Sequence, residues 1–262
     1  MNILALDTSS KHFSLAVAKD GKTLCYRSIL LKKVLSDSIM PAIQGILKKS
    51  GLTLAKLDGF AVGLGPGSFT SLRVGLSTVK GLAFALKKPV VGVPSLDVLA
   101  LNVKEDGQVC VVCDAKRNMA YACLYQKKGG ALKRKSKYLL TDIQNVLKQV
   151  MKSPGESPGD ISKLPPADSL RESKRWGLSA SRQRGRIKGE ATFVGDGVPL
   201  FREAIEKATG IKAHFAGEKQ MYPQAKHLVA LAMKRFEAKE YDKAESLVPL
   251  YLYPKDCQVR NK

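Results

Sequence analysis

The order of elements along this chain runs twice, and that repetition limits the fold more than any single motif. "ILALDTSS" (3–10) is an apolar run that ends in Asp7 and hydroxyl residues. "FSLAVAKDG" (13–21) follows to a turn at Asp20 and Gly21, and "KTLCYRSIL" (22–30) completes a three-stranded meander. "SDSIMPAIQGILKKSG" (36–51) reads as a helix with Ser36 as cap, Asp37 at its positive end and Gly51 at its stop. Ile39, Ile43, Ile46 and Leu47 form its apolar stripe, and Pro41 falls near its first turn. A strand at 59–65, a helix at 69–87 and a strand at 89–95 close the first set. The second set begins with "QVCVVCDA" (108–115), which ends in Asp114 as the first strand ends in Asp7. "MAYACLYQKKGG" (119–130) and "LKRKSKYLL" (132–140) read as strands, and 141–152 as a helix capped by Thr141. "ATFVGDGVPLF" (191–201) then mirrors "GFAVGLGPGSF" (59–69): strand, Gly-x-Gly turn, helix start.

Strand-turn-helix is common enough to recur by chance, but agreement of the whole order favours duplication. The expectation is an α/β protein of two similar lobes, 1–104 and 105–262, each built on a repeat of about 100 residues. One segment has no counterpart. Residues 153–190 are rich in Ser, Pro, Gly and Arg with little periodicity, and read as a mobile insertion. Trp176, the one tryptophan, lies there, either as an anchor that docks the segment or as a base-stacking residue.

The net charge of +21 suggests a polyanionic partner, nucleic acid above all, with solubility or a basic lineage as the alternatives. It is unevenly spread. "KKGGALKRKSK" (127–137) carries six cations and no acid, and 171–188 carries seven cations against Glu172. The five cysteines follow no framework. "CVVC" at 110–113 lies in a strand-like run, where positions three apart face opposite sides, so buried free thiols are expected rather than a redox pair. The apolar start breaks at Asp7, too short for a signal peptide or a membrane span, and the expected compartment is the cytoplasm, with no membrane partner.

Catalytic motifs are scarce. His12, His214 and His227 show neither HxxxH nor HExxH spacing, and no GxSxG elbow occurs. Asp7 and Asp114 at strand ends suit a metal-bound nucleotide held between lobes, but "DTSSKHF" and "DAKRNMA" lack the glycines of a phosphate loop, so a turn or capping role for Asp7 stands equally open. Gly65-Pro66-Gly67 makes a tight turn and Ser68 can cap the next helix, yet the loop matches neither GxxxxGK[ST] nor GxGxxG after a first strand. In the helix that follows, Leu72, Leu76, Val79, Ala83 and Leu86 form an apolar stripe. Ser71, Gly75, Thr78, Gly81 and Ala85 form a face of small residues, which admits a close neighbour either within the chain or on another subunit.

Together, "ILALDTSS", "FAVGLGPGSFTSLRVGLSTVKGLA", "VVGVPSLDVLA", "VCDAKRNMAYACLY", "FVGDG" and "LVPLYLYP" resemble the TsaB (YeaZ) family of tRNA threonylcarbamoyladenosine biosynthesis over nearly the whole chain apart from 153–190. The resemblance implies a duplicated, two-lobed fold of the actin, Hsp70 and sugar-kinase type (ASKHA), with mixed sheets flanked by helices. It implies a non-catalytic subunit that pairs, through helices of its first lobe, with the catalytic paralogue TsaD, which carries an HxxxH metal site. A small ATPase, TsaE, joins them, and the wider complex uses ATP while no cofactor is assigned to this chain. On that basis the partner-facing residues are expected among Ser36, Ile39, Ile43, Ser68, Ser71, Leu72, Gly75, Thr78 and Val79. A vestigial nucleotide site would comprise Asp7, Thr8, Ser9 and Asp114. tRNA, reached through the complex, would meet Lys133, Arg134, Lys135, Arg175, Arg182, Arg184 and Arg186. A homodimer in the partner's absence is a further expectation. The sequence departs from the family at Leu35-Ser36-Asp37, where His-Ser-Glu is usual, and at Ser71, where Gly is common. A small-molecule kinase or ATPase of the same fold, and a peptidase, are the competing classes; the first would need glycine-rich phosphate loops and the second a nucleophile or metal set.

Overall fold

The computed structural model describes residues 1–31, 34–152 and 189–253. The first set of elements is β1 (Asn2–Asp7), β2 (His12–Lys19), β3 (Lys22–Leu30), α1 (Leu35–Ser50), β4 (Gly59–Gly63), α2 (Phe69–Leu86), β5 (Val90–Val93) and α3 (Ser95–Ala100). The second is β6 (Gly107–Asp114), β7 (Ala120–Lys128), β8 (Ala131–Arg134), β9 (Leu139–Thr141), α4 (Ile143–Met151), β10 (Gly189–Val194), α5 (Val198–Glu206), β11 (Ile211–Phe215) and α6 (Ala225–Glu237).

The two sheets repeat one topology. The first has the order β3-β2-β1-β4-β5, and the second β11-β10-β6-β7-β8, with β9 also on β7. In each, the opening strand runs antiparallel to its successor (β1 with β2, β6 with β7) and parallel to the strand after the first long helix (β1 with β4, β6 with β10). This is the duplicated α/β architecture that the order of elements implies, with two mixed sheets flanked by helices.

The period of two in the strands sorts side chains onto the two faces. In the first sheet, Leu4 and Leu6 join Phe13, Leu15 and Val17 against α1 and α2, while Ile3, Ala5, Ala16 and Ala18 face α6. In the second, Cys110, Val112, Leu124 and Phe193 pack with α4 and α5, while Val109, Val111, Cys123 and Tyr125 face inward. Helices α3 and α6 therefore fill the space between the sheets, and α6 lies against the first sheet although it follows the second in sequence.

Several local expectations need correction. The N-cap of α1 is Val34, and Ser36 sits in the first turn with its hydroxyl on Asp37 Oδ1. Because α1 starts at Leu35, Pro41 lies in its second turn. Gly51 does end the helix, at φ 69°. The cap of α4 is Asp142, whose Oδ1 accepts from Asn145 N at 3.0 Å, not Thr141. The single strand expected over 132–140 is broken between β8 and β9, because Ser136 turns inward to accept from Leu124 N. Gly189 and Glu190 belong to β10 rather than to the insertion, and the remainder of that insertion, with Trp176, lies outside the described residues. The described thiols are free as expected, but only Cys110 and Cys123 are buried, while Cys113 and Cys25 are half-buried; burial pushes the Cys123 thiol up to about 12. Among the described residues, no helix is long and apolar enough to cross a membrane.

Candidate functional site

The glycine turn, the strand-end carboxylates and the outer face of α2 meet at the C-terminal end of β1. Asp7 is fully buried. Its Oδ1 accepts from Ser9 N (2.9 Å) and Ser9 Oγ (2.7 Å), and its Oδ2 accepts from Ser95 Oγ (2.7 Å). Burial pushes the carboxyl up despite these bonds. Ser95 Oγ also accepts from Gly65 N at 3.0 Å, so one carboxylate ties the end of β1 to the start of α3 and, through it, to the glycine turn. Gly63 must be glycine here, since a Cβ would lie 2.0 Å from Asp7 Oδ2.

The turn 65–67 is a device of close approach. Gly65 has φ 84°, its bond to Pro66 is cis, and a Cβ on Gly67 would sit 2.0 Å from the Ser9 carbonyl oxygen. Ser68 N donates to that same oxygen at 2.8 Å. Ser68 does stand at the N-cap of α2, but its hydroxyl bonds to Ser71 Oγ rather than to a helix N–H. The start of α2 is thereby tied to the turn after β1, through Ser68 N to Ser9 O and Thr8 Oγ1 to Ser71 O, and the glycines allow that close approach.

The second lobe repeats the device with different chemistry. Asp114 Oδ1 accepts from Lys116 N at 2.7 Å, as Asp7 accepts from Ser9 N, and Asp114 also pairs with the Lys116 ammonium. Gly197 packs on the Cys113–Asp114 backbone as Gly67 packs on Ser9. Of the suggested nucleotide set, Asp7, Thr8 and Ser9 are thus brought together at the end of β1 but are engaged with their own chain, and Asp114 is engaged with Lys116. Among the described residues, no three His, Cys, Asp or Glu side chains stand where they could share a metal ion.

The small-residue face of α2 divides in two. Gly75 is buried, and a Cβ there would lie 2.3 Å from Thr8 Oγ1, which itself donates to Ser71 O at 2.9 Å. Its close neighbour is therefore internal. Gly81 has nothing within 4 Å of its Cβ position. Of the expected partner-facing residues, Ile39, Ile43, Leu72 and Val79 also belong to the chain's own core, where the apolar stripes of α1 and α2 meet the first sheet. Ser36 and Ser68 are exposed, and Ser71 and Thr78 are half-buried. What α2 does show to solvent is Phe69, Thr70, Arg73, Ser77, Gly81, Phe84 and Ala85, with Phe84 81% exposed. Phe69 and Phe84 were legible as aromatics out of phase with the Leu72–Leu76–Val79–Ala83 stripe. Along one flank the C-terminal segment is strapped down: Lys80 donates to Glu245 O, Leu250 N to Leu64 O, and Arg73 Nε to Tyr251 Oη.

The two helix glycines should then respond oppositely to the same change. Gly81→Ala is expected to raise stability by about 0.5–1 kcal/mol, the helix propensity difference. Gly75→Ala is expected to lower it by about 1–3 kcal/mol, because Thr8 must shift. Urea unfolding of the two variants measures both.

The basic stretch 127–137 is also divided. Lys127 is buried and donates to the Val103 carbonyl. Arg134 is withdrawn from any phosphate: its guanidinium lies 3.9 Å from the fully buried Asp97 and donates to the Tyr138 hydroxyl. Tyr138 and Tyr125 donate in turn to the two Asp97 oxygens, at 2.7 and 2.6 Å. Lys133 is exposed and Lys135 half-buried, while Arg175, Arg182, Arg184 and Arg186 fall outside the described residues.

Comparison with known proteins places this arrangement. The family model for TsaD, tRNA N6-adenosine threonylcarbamoyltransferase, matches residues 30–260. The chain belongs to this family. Relatives named TsaB are among its matches, as its motifs suggest. It is 29% identical to the tRNA threonylcarbamoyladenosine biosynthesis protein TsaB of Bacillus subtilis (strain 168), over 99% of this chain and 97% of that one. It is 35% identical to TsaB of Escherichia coli (strain K12) over 48% of this chain and 56% of that one. The solved structure of YeaZ from Pseudomonas aeruginosa shares the fold, with a TM-score of 0.68 at 24% identity over 96% of this chain and 99% of that one.

Proposed function

We propose that this chain is a non-catalytic subunit in the formation of N6-threonylcarbamoyladenosine in tRNA. It docks a TsaD-type catalytic paralogue on the open face of α2, with a TsaE-type ATPase as a further member of the assembly. The observation that carries the docking reading is Gly81 beside Phe84. A glycine inside a helix costs about 1 kcal/mol relative to alanine. Gly75 recovers this by admitting Thr8, but Gly81 meets open space next to an aromatic ring left in water. Such a pair suits a helix arriving from another subunit. The non-catalytic reading is supported by the commitment of Asp7 to Ser9 and Ser95 and of Asp114 to Lys116, which leaves neither strand-end carboxylate free to hold a substrate.

The test is a threonylcarbamoyl-transfer assay on tRNA with the chain alone, the paralogue and ATPase alone, and all three. Transfer is expected only when the paralogue is present, and to be strongly raised by this chain. Asp7→Ala is expected to lower stability without lowering the rate of the assembled system at a temperature where the variant is folded. Transfer by the chain as sole protein would overturn the reading.

A further inference from the structure

The run 131–138 divides its side chains between two environments. Leu132 and Ser136 are buried, and Arg134 and Tyr138 turn inward onto Asp97. Lys133 and Lys137 are exposed, Lys135 is half-buried, and Lys128 extends the set across the β7–β8 turn. The inward residues are pegs. Arg134, Tyr138 and Tyr125 converge on one buried carboxylate, Ser136 Oγ accepts from Leu124 N at 3.0 Å, and Lys135 N donates to Leu124 O at 2.7 Å. Lys127 plugs its ammonium into the Val103 carbonyl beside them.

We infer that Lys128, Lys133, Lys135 and Lys137 form a strip that binds the phosphodiester backbone of RNA. This rests on the tRNA assignment above but not on the docking face of α2. Three arguments carry it. No acid interrupts residues 127–137 in sequence, and the carboxylate of Asp106, which accepts from Gly129 N at 2.7 Å, stands at the Lys128 end of the strip and away from Lys133, Lys135 and Lys137 in sequence. Lys133 and Lys135, where the chain leaves β8, are two residues apart, a rise of roughly 6.6 Å in extended chain, which suits successive phosphates along a strand, and the chain bends at Ser136 before Lys137. The pegs hold the backbone beneath the lysines, so the strip is presented in one shape and the ordering cost of binding is reduced. The plainer role of edge lysines is to keep sheets from pairing edge to edge. That role accounts for Lys133 on the four-residue β8 but not for the continuation through Lys135 and Lys137, beyond the strand.

The experiment is tRNA binding against salt, with an unmodified tRNA transcript as probe, by the chain alone and by the chain with its paralogue. Replacing Lys128, Lys133, Lys135 and Lys137 with glutamine leaves the pegs and the edge polarity intact. Each lysine–phosphate pair removed should reduce the log–log salt slope by about 0.7–0.9, so the fourfold variant should lose about 3 if every lysine engages. Arg134→Gln removes one charge from the same strand but from a buried site, and should leave the slope unchanged under conditions where it is folded. A fourfold variant with unchanged affinity and slope overturns the inference, as does an Arg134→Gln variant that matches a surface lysine in slope. Because pairing with the paralogue is scored separately, loss of pairing with an intact lysine effect would count against the docking reading alone.

Discussion

Asp97→Ala is expected to destabilise the chain by about 3–5 kcal/mol, the usual cost of stranding a buried partner charge. Stabilities of single proteins lie at about 5–15 kcal/mol, so this change alone threatens folding at ordinary temperature. Asp97 is fully buried in α3 and is the common acceptor for the Tyr125 and Tyr138 hydroxyls, with the Arg134 guanidinium behind Tyr138. Burial pushes the Asp97 carboxyl up, and the Tyr125 hydrogen bond and Arg134 pull it back. Without it, Arg134 keeps its charge in a site where its Nε already lacks a partner, and two phenols lose their acceptor. Removing both charges tests this account. Asp97→Leu combined with Arg134→Met should recover much of the loss, because a buried ion pair replaced whole by apolar groups is often neutral. Urea midpoints at constant slope measure both variants; a loss below about 1 kcal/mol in Asp97→Ala would show that the network is dispensable.

The same network marks where sequence reasoning stops. The duplicated topology was legible because strand alternation, Gly-x-Gly turns and helix stripes are local signals, and each appears twice. Arg134 was not separable from Lys133 and Lys135, since all three are cations in one run and only the tertiary partner in α3 withdraws one of them. Helix α6 was legible and was passed over. Ala225, Leu228, Val229, Ala232 and Phe236 recur at helical spacing as one buried stripe, and Lys226, Ala230, Lys234 and Glu237 are exposed on the other side. What the sequence could not show is that Arg235 is buried beside that stripe, against Asp242. Gly75 and Gly81 occur six residues apart in one helix and look alike; the difference lies wholly in Thr8, which the fold brings from the first strand's turn.

That difference decides where a partner can be disrupted without disturbing the chain. Gly75 is the wrong choice, because a large side chain there would drive α2 off the Thr8 turn and unfold the site it was meant to test. Gly81→Arg with Phe84→Asp is the right one. Both positions face solvent, nothing lies within 4 Å of the Gly81 Cβ position, and Phe84 is 81% exposed, so the melting temperature should hold or rise slightly. A long cation fills the space a neighbouring helix would need, and a carboxylate replaces the exposed ring. Truncating a central interface residue commonly costs about 2 kcal/mol or more, so the pair is expected to weaken binding to the TsaD-type paralogue by about a hundredfold or more. Transfer on tRNA should fall to the level of the paralogue without this chain, while tRNA binding through Lys128, Lys133, Lys135 and Lys137 keeps its salt slope. Co-purification and titration calorimetry with the paralogue give the answer: unchanged affinity in a folded double variant would leave Gly81 and Phe84 outside the interface and remove the observation on which the docking reading rests.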